Sequence, residues 1–238
     1  MFNFFKRSIS YPEIDIHSHL LPGIDDGVKT LDRSIEIIKK FIDLGYKKLI
    51  TTPHIHPNYP NTPEIIRMKL EELKGEVEKL NLEIVIDAAA EYYVDDVFFN
   101  RVQQKEELLT FGDNYVLVES GFINKPMIFE SCLFELKSQG YNPILAHPER
   151  YQFLEENLGW LKELKSMGIL LQLNIASLVG FFGSMPAKIG KQLIKEEMID
   201  FLGSDLHNQH QLEPFQKGIN SKSAQNLIRS DRLFNQKL

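Results

Sequence analysis

Seven short apolar strands can be read along this chain, and six of them run into a histidine or a carboxylate. Ile14-Asp15-Ile16 leads into His17-Ser18-His19, and later strands close on His54, Glu91, Glu119, His147 and the pair Asp205 and His207. Strands of one parallel sheet or barrel deliver their carboxyl ends to one face, so residues far apart in sequence converge there. Scattered histidines would say little; donors placed repeatedly at strand ends require a parallel sheet with a shared centre.

The punctuation between strands agrees. Strands at 14–16, 48–52, 83–90, 115–118, 143–146, 169–173 and 199–202 alternate with helical spacing. Thr30 is placed as an N-cap before Leu31, Ile35, Ile38, Phe41 and Ile42, and Gly45 ends that helix. Thr62-Pro63 starts a second helix running to about Leu80. Further helices are expected over Pro126–Ser138, Phe153–Met167 and Pro186–Met198, with one or two short ones over Asp95–Leu109 and one in the tail from Glu213. Gly45-Tyr46 and Gly140-Tyr141 read as the same helix-to-strand turn used twice. No low-complexity linker or shift of composition divides the chain, so residues 1–238 are expected to form a single α/β domain. Seven strands with a site drawn from nearly all of them favour a closed barrel, because the edge strands of an open sheet would lie too far from a common centre.

Composition narrows the chemistry. A formal net charge of −6 suits a nucleic-acid binder poorly, since phosphate contacts need clustered Lys and Arg. Cys132 is the only cysteine, which excludes an internal disulfide and thiolate–metal chemistry, and a reducing cytoplasm fits. It lies on an amphipathic helix, and Ser138 stands six residues on, where a cysteine-based phosphatase needs arginine. No P-loop or GxGxxG is present. No run approaches the ~20 apolar residues of a membrane span. The Phe-rich segment Met1 to Ser8 is expected to be a short arm packing on the domain.

The donor types point to metal ions. His17 and His19 fall on one side of an extended segment, and Asp205 and His207 repeat that i, i+2 relation at the last strand. Glu119 closes the apolar run Val116-Leu117-Val118, and Glu91 follows Ala88-Ala89-Ala90; such carboxylates are costly unless paired or bound to metal. Asp26 lies in the Asp25-Asp26-Gly27 loop, which alone would read as a solvated turn. His17, His19, Asp26, His54, Glu91, Glu119, His147, Asp205 and His207 are too many for one ion and suit two or three. Mixed imidazole and carboxylate donors suit manganese, iron or zinc. Three divalent ions outweigh the four carboxylates and a bridging hydroxide by one charge, which would draw a phosphate into an acidic protein. The reaction expected is metal-assisted hydrolysis of a phosphate ester, with a metal-bridging hydroxide attacking phosphorus. Arg150 could meet the phosphate in fork geometry, or pair with Glu149 or Glu155. Tyr92, Tyr93, Phe122, Phe181 and Phe182 could flank an aromatic leaving group, and the loop from Asn174 to Ser184 could act as a lid.

Over nearly its whole length the chain resembles the PHP (polymerase and histidinol phosphatase) family, and within it the CpsB/YwqE-like bacterial protein-tyrosine-phosphatase branch of capsule and exopolysaccharide systems. The carriers are Asp15-Ile16-His17-Ser18-His19, Asp25-Asp26-Gly27, Thr52-Pro53-His54, Ala90-Glu91-Tyr92-Tyr93, Val118-Glu119, Ala146-His147-Pro148-Glu149-Arg150-Tyr151 and Ser204-Asp205-Leu206-His207-Asn208. The resemblance implies a distorted (βα)7 barrel and three divalent metal ions, usually manganese, with iron, zinc or magnesium as alternatives. It implies one ion on His17, His19, Glu91 and Asp205, a second on Glu91, Glu119 and His147, and a third on His54, Asp26 and His207. Arg150, Asp205 and His207 take the catalytic roles. Relatives often carry arginines just after the His54 and His207 positions; Ile55-His56-Pro57 and Asn208-Gln209-His210-Gln211 stand here instead, so substrate contact is expected from Arg150, His56 or His210. The implied partner is a phosphotyrosine protein, a bacterial tyrosine kinase with a tyrosine-rich tail; oligomeric state stays open. The alternative is a small-molecule phosphatase of histidinol-phosphate type on the same fold.

Overall fold

The structure is a computed structural model and describes residues 9–154 and 158–238. The expected arm Met1 to Ser8 and Glu155 lie outside the described residues.

Nine strands form two parallel sheets. The first holds β1 (Ile14–Asp15), β2 (Lys48–Thr51) and β4 (Val85–Ala88), in that order. The second runs β3 (His54–Ile55), β5 (Glu91–Tyr93), β6 (Tyr115–Glu119), β7 (Asn142–Ala146), β8 (Leu170–Asn174) and β9 (Phe201–Gly203). Nine strands stand where seven are expected because two are interrupted. Thr51 pairs with Ala88 and His54 with Glu91, so the register is the same on both sides of the break. Pro53 has no N–H to give, yet its carbonyl still accepts from Glu91 at 3.1 Å. β2–β3 and β4–β5 are therefore two continuous strands pinched at Thr52-Pro53 and Ala89-Ala90.

The barrel closes between its first and last strands. Ser18 bridges Leu206 in parallel; Asp205 N donates to His17 O (2.7 Å) and His19 N to Leu206 O (3.0 Å). At the other end of that seam lies Asn235, fully buried. Its amide donates to Ile14 O (3.0 Å) and Leu202 O (2.8 Å), and its Oδ1 accepts from Leu202 N (2.9 Å). Ile16, Ile50, Ala89, Leu117, Ile144, Ala146 and Phe201 form a small apolar cluster drawn from strands all round the ring, which therefore fills the barrel interior. The larger core lies between strands and helices.

The helices mostly begin where their caps predict. α1 (Leu31–Asp43) is capped by Thr30 and α2 (Pro63–Lys79) by Thr62. α3 (Asp96–Gln103) is a single helix, and α4 (Phe129–Ser138) and α6 (Ser184–Lys195) follow. α5 (Gly159–Ser166) is shorter than expected, because Gln152–Leu154 form a separate 3-10 turn held to the site loop by Gln152 N on Phe122 O (2.7 Å). The tail holds two helices, α7 (Leu212–Ile219) and α8 (Lys222–Ile228), because Ser221 caps a second start. Gly45 and Gly140 adopt φ of +88° and +86°, and each is followed by a tyrosine whose N–H reaches back five residues, to Phe41 O and Leu136 O. The two turns are the same, as expected. No helix among the described residues is long and apolar enough to cross a membrane.

Candidate metal centre

All nine expected donors gather at the carboxyl end of the barrel. Pleating explains several of them. Leu117 and Ala89 point into the barrel, so Glu119 and Glu91, two residues on, point the same way into the site. His147 directly follows inward-facing Ala146 and would turn outward, but it adopts a left-handed φ of +34°. Asp205 is left-handed too, at +53°. Non-glycine residues held there cost about 1–3 kcal/mol each, a strain met at functional sites.

The donor atoms fall into overlapping groups: His19, Asp26, His54 and His207; His17, His19 and Asp205; His17, Glu91 and His147; and His54, Glu91 and Glu119, each within 4.8 Å. Glu91 Oε2 lies 3.1 Å from His54 Nδ1, 3.2 Å from His17 Nε2 and 3.4 Å from His19 Nε2. His147 Nε2 lies 3.0 Å from Glu91 and 3.9 Å from Glu119, and it also groups with His17 and Glu91.

The cluster fits cations, and its own atoms say so. Glu91 Oε2 and His54 Nδ1 are buried without a hydrogen-bond partner, a costly arrangement for a closed core. His17 and His19 aim their Nε2 atoms at each other across 3.3 Å. Lone pairs converging at about this spacing are what ~2.1 Å metal–ligand bonds produce. Burial works against charge on His17, but Glu91 and Asp205 outweigh it and raise the imidazole to about 9. Burial likewise opposes ionised Asp205, yet His17 and His207 hold it well below the ordinary carboxylate range. The pocket demands positive charge, which protons or metal ions can meet.

Other residues orient the donors, and most were not expected. Asp25 accepts from His19 Nδ1 (2.8 Å) and from His54 N (3.1 Å), leaving Asp26 to face the histidines His54 and His207. Gly27 is required in that loop, since a Cβ there would stand 2.3 Å from His19 O. Gln172 Oε1 meets His17 Nδ1 at 2.8 Å. A lone amide inside Leu170-Leu171-Gln172-Leu173 is the signal that marks it. Asn174 donates to Asp205 Oδ2 (2.8 Å). Outer partners of this kind fix tautomer and aim in metal sites.

Over the donors lies a pocket of 390 Å³ lined by His56, Tyr59, Tyr93, Phe122 and Arg150. Arg150 pairs with neither Glu149 nor solvent alone: Nη1 donates to Asp205 Oδ2 (2.8 Å), and the guanidinium lies between the rings of Phe122 (4.6 Å) and Phe182 (4.1 Å). Glu149 is buried and accepts from Ser177 and Asn174 instead. His56 packs edge-on to Tyr93 at 4.3 Å within this pocket. His210 does not line it; it borders a separate cleft beyond Asp26 and His207, with Lys29 and Arg33. Of the aromatic residues expected near a leaving group, Tyr93 and Phe122 line the pocket, whereas Tyr92 is core, accepting from Leu109 N. The segment 174–184 is not a free lid, because Ile175, Ala176, Ser177 and Leu178 are buried in a 3-10 turn.

Residues 13–227 match the model of the family described as "Capsular polysaccharide synthesis, CpsB/CapC". This chain is a member of the CpsB/CapC family. CapC of Staphylococcus aureus is 33% identical over 198 residues, covering 82% of this chain and 77% of CapC. The tyrosine-protein phosphatase YwqE of Bacillus subtilis is 33% identical over 201 residues, with the same coverage of 82% and 77%. The tyrosine-protein phosphatase CpsB of Streptococcus agalactiae is 28% identical over 208 residues, 85% of this chain and 86% of CpsB. A chain from the crystal structures of YwqE from Bacillus subtilis and CpsB from Streptococcus pneumoniae, described as unique metal-dependent tyrosine phosphatases, superposes with a TM-score of 0.82 at 27% identity, covering 94% of each chain. CpsB/CapC membership agrees with the distorted α/β barrel, with His17 to Asn208 falling inside the matched span.

Proposed function

We propose that this chain is a metal-dependent tyrosine-protein phosphatase of the capsular polysaccharide synthesis type. The observation that carries the reading is the convergence of nine donors under a pocket whose one lining arginine, Arg150, faces them. Three divalent ions, manganese first among them, match the number and type of donors. When bound, such ions supply Lewis acidity and an ionised water at neutral pH.

The chain's own residues supply the rest. Asp205 divides its two oxygens: Oδ2 is held by Arg150 and Asn174, and Oδ1 faces His17, His19 and His207, each 3.4 Å away. Arg150 is thereby fixed at the donor cluster with its remaining N–H groups free to take up phosphate oxygens. Two ring contacts and an ion pair leave it little freedom, so its ordering cost is met before substrate arrives. Tyr93, Phe122 and His56 form an aromatic wall suited to the ring of phosphotyrosine. Phosphotyrosine also stands its phosphate far enough from the backbone to reach donors at the floor of a pocket, which favours a protein substrate such as a bacterial tyrosine kinase tail. Hydrogen bonds between residues 17–19 and 205–206 support treating the chain as one catalytic unit; its single cysteine suits action in a reducing cytoplasm.

The test is hydrolysis of a phosphotyrosine peptide and of histidinol phosphate by protein of known metal content. Manganese-supported turnover of the peptide, abolished by chelator and by His17→Ala, is the expected result. A His17→Ala variant that keeps full activity would falsify the site assignment, and preference for histidinol phosphate would move the chain to the small-molecule reading.

A further inference from the structure

Arg150 has a second side. Beyond the Phe122–Arg150–Phe182 stack, away from the metal donors, opens a cleft of 480 Å³ lined by Phe122, Tyr151, Phe182, Met185, Pro186 and Ile189 among others. It shares Phe122 and Arg150 with the catalytic pocket, so these two residues form the partition between adjoining hollows. Its lining is mostly apolar, and its one cation, Arg150, is already engaged by Asp205 and the two rings.

The surroundings of this cleft are unusual for the surface. Among the described residues, twelve large apolar side chains are exposed, and five of them, Ile123, Met127, Val179, Phe181 and Met185, sit on the two segments that carry Phe122 and Phe182. Scattered apolar residues need no explanation, but a concentration beside a site marks a binding surface. Gln152 and Ser184 are exposed at the same cleft, and can meet the backbone polar groups of an extended peptide.

We propose that this cleft is a specificity subsite that receives a large apolar side chain lying one or two positions from the phosphotyrosine of the substrate protein. The proposal rests on the phosphatase reading above and adds the neighbouring residue that this chain selects. An extended chain advances ~3.3 Å per residue, so a side chain one or two places along is displaced far enough to leave the catalytic pocket for the adjoining cleft. A volume of 480 Å³ holds a leucine- or phenylalanine-sized side chain with its adjoining backbone. An acidic neighbour is disfavoured, because it would enter a mostly apolar cleft beside the buried Glu149, where the one lining cation, Arg150, is shared between Asp205 and the substrate phosphate. A concave cleft adjoining the catalytic pocket suits a peptide better than a lipid surface, which is met by protruding apolar side chains flanked by cations.

The experiment compares phosphotyrosine peptides that differ only by leucine, glycine or aspartate at each of the two positions on either side, using the manganese-loaded full chain. At one position leucine is expected to raise kcat/KM about tenfold over glycine, with aspartate below glycine. Met185→Glu, a change in the first turn of α6 where an acidic residue favours the helix, is expected to erase that preference. Equal kcat/KM for leucine and glycine at every position overturns the subsite while leaving the phosphatase reading intact. An undiminished preference in Met185→Glu also overturns it. Wild-type protein that sediments with phosphatidylglycerol vesicles, loses this in Met185→Glu and shows no peptide preference makes the rim a lipid contact and overturns the subsite. If neither the glycine peptide nor p-nitrophenyl phosphate is hydrolysed, the phosphatase reading falls and takes the subsite with it.

Discussion

A proton and a divalent cation compete for the same lone pair on His17. Glu91 and Asp205 overcome the penalty of burial and raise this imidazole from 6.5 to about 9. In protein stripped of metal, the raised value means that protonated His17 stabilises the fold. That contribution is fully present below 6.5 and is lost as pH rises through about 9. Ion binding has the opposite sign, since the imidazole must give up its proton to become a ligand. Metal affinity measured by titration calorimetry is therefore expected to rise between pH 6.5 and 9, while the melting temperature of the chelated protein falls over the same interval. A flat affinity across that interval would remove His17 from the ligand set. The donors themselves were legible in the sequence because histidine and carboxylate at apolar strand ends are chemically conspicuous. Their helpers were harder to see. Asp25 and Asp26 are adjacent and identical, and only the turn at Gly27 decides that the first buttresses His19 while the second faces His54 and His207.

At the level of elements, the seam between β1 and β9 is held by ladder bonds at the donor end, by Asp15 accepting from Ser204 N and Oγ along its length, and by Asn235 at the far end. Asn235 satisfies Ile14 O and both backbone groups of Leu202. Asn235→Ala leaves three buried backbone groups unpaired and is expected to cost about 2–4 kcal/mol, read from urea denaturation. Because Asn235 lies at the end of the barrel away from the metal donors, kcat of the folded fraction should be retained; a fall in kcat matching the loss of stability would place the seam within the catalytic machinery. Element types and most boundaries could be predicted from caps and periodicity, as at Thr30 and Thr62. The failures came where tertiary contacts override local signals. Gln152–Leu154 would have extended α5, but a bond to the Phe122 carbonyl pulls it into a separate turn. The two split strands run on past their expected ends at residues 52 and 90, because the parallel register survives the pinch.

For the molecule as a whole, stability and activity draw on the same charges. Glu91 and Asp205 are buried beside His17, His19 and His147, and Glu119 is nearly so. Removing the cations leaves these carboxylates to be balanced by protons on the histidines and by Arg150 at Asp205. Chelation is therefore expected to lower the melting temperature by about 5–10 °C, with recovery on adding manganese. An unchanged melting temperature in chelator would mean that the cluster is neutralised from within. The barrel architecture followed from the donors, because only a closed ring brings all seven strand ends to one centre; the aromatic partition at Arg150 did not, because Phe122, Arg150 and Phe182 are distant in sequence and carry no shared pattern. The Asn235 clasp also decides where the seam can loosen. Its partners Ile14 and Leu202 lie on the opening and closing strands, at the rim opposite the donors. Tension applied to residues 234–237, as by a fused tag, would open that rim first, while the ladder bonds of His17, His19, Asp205 and Leu206 keep the donors together.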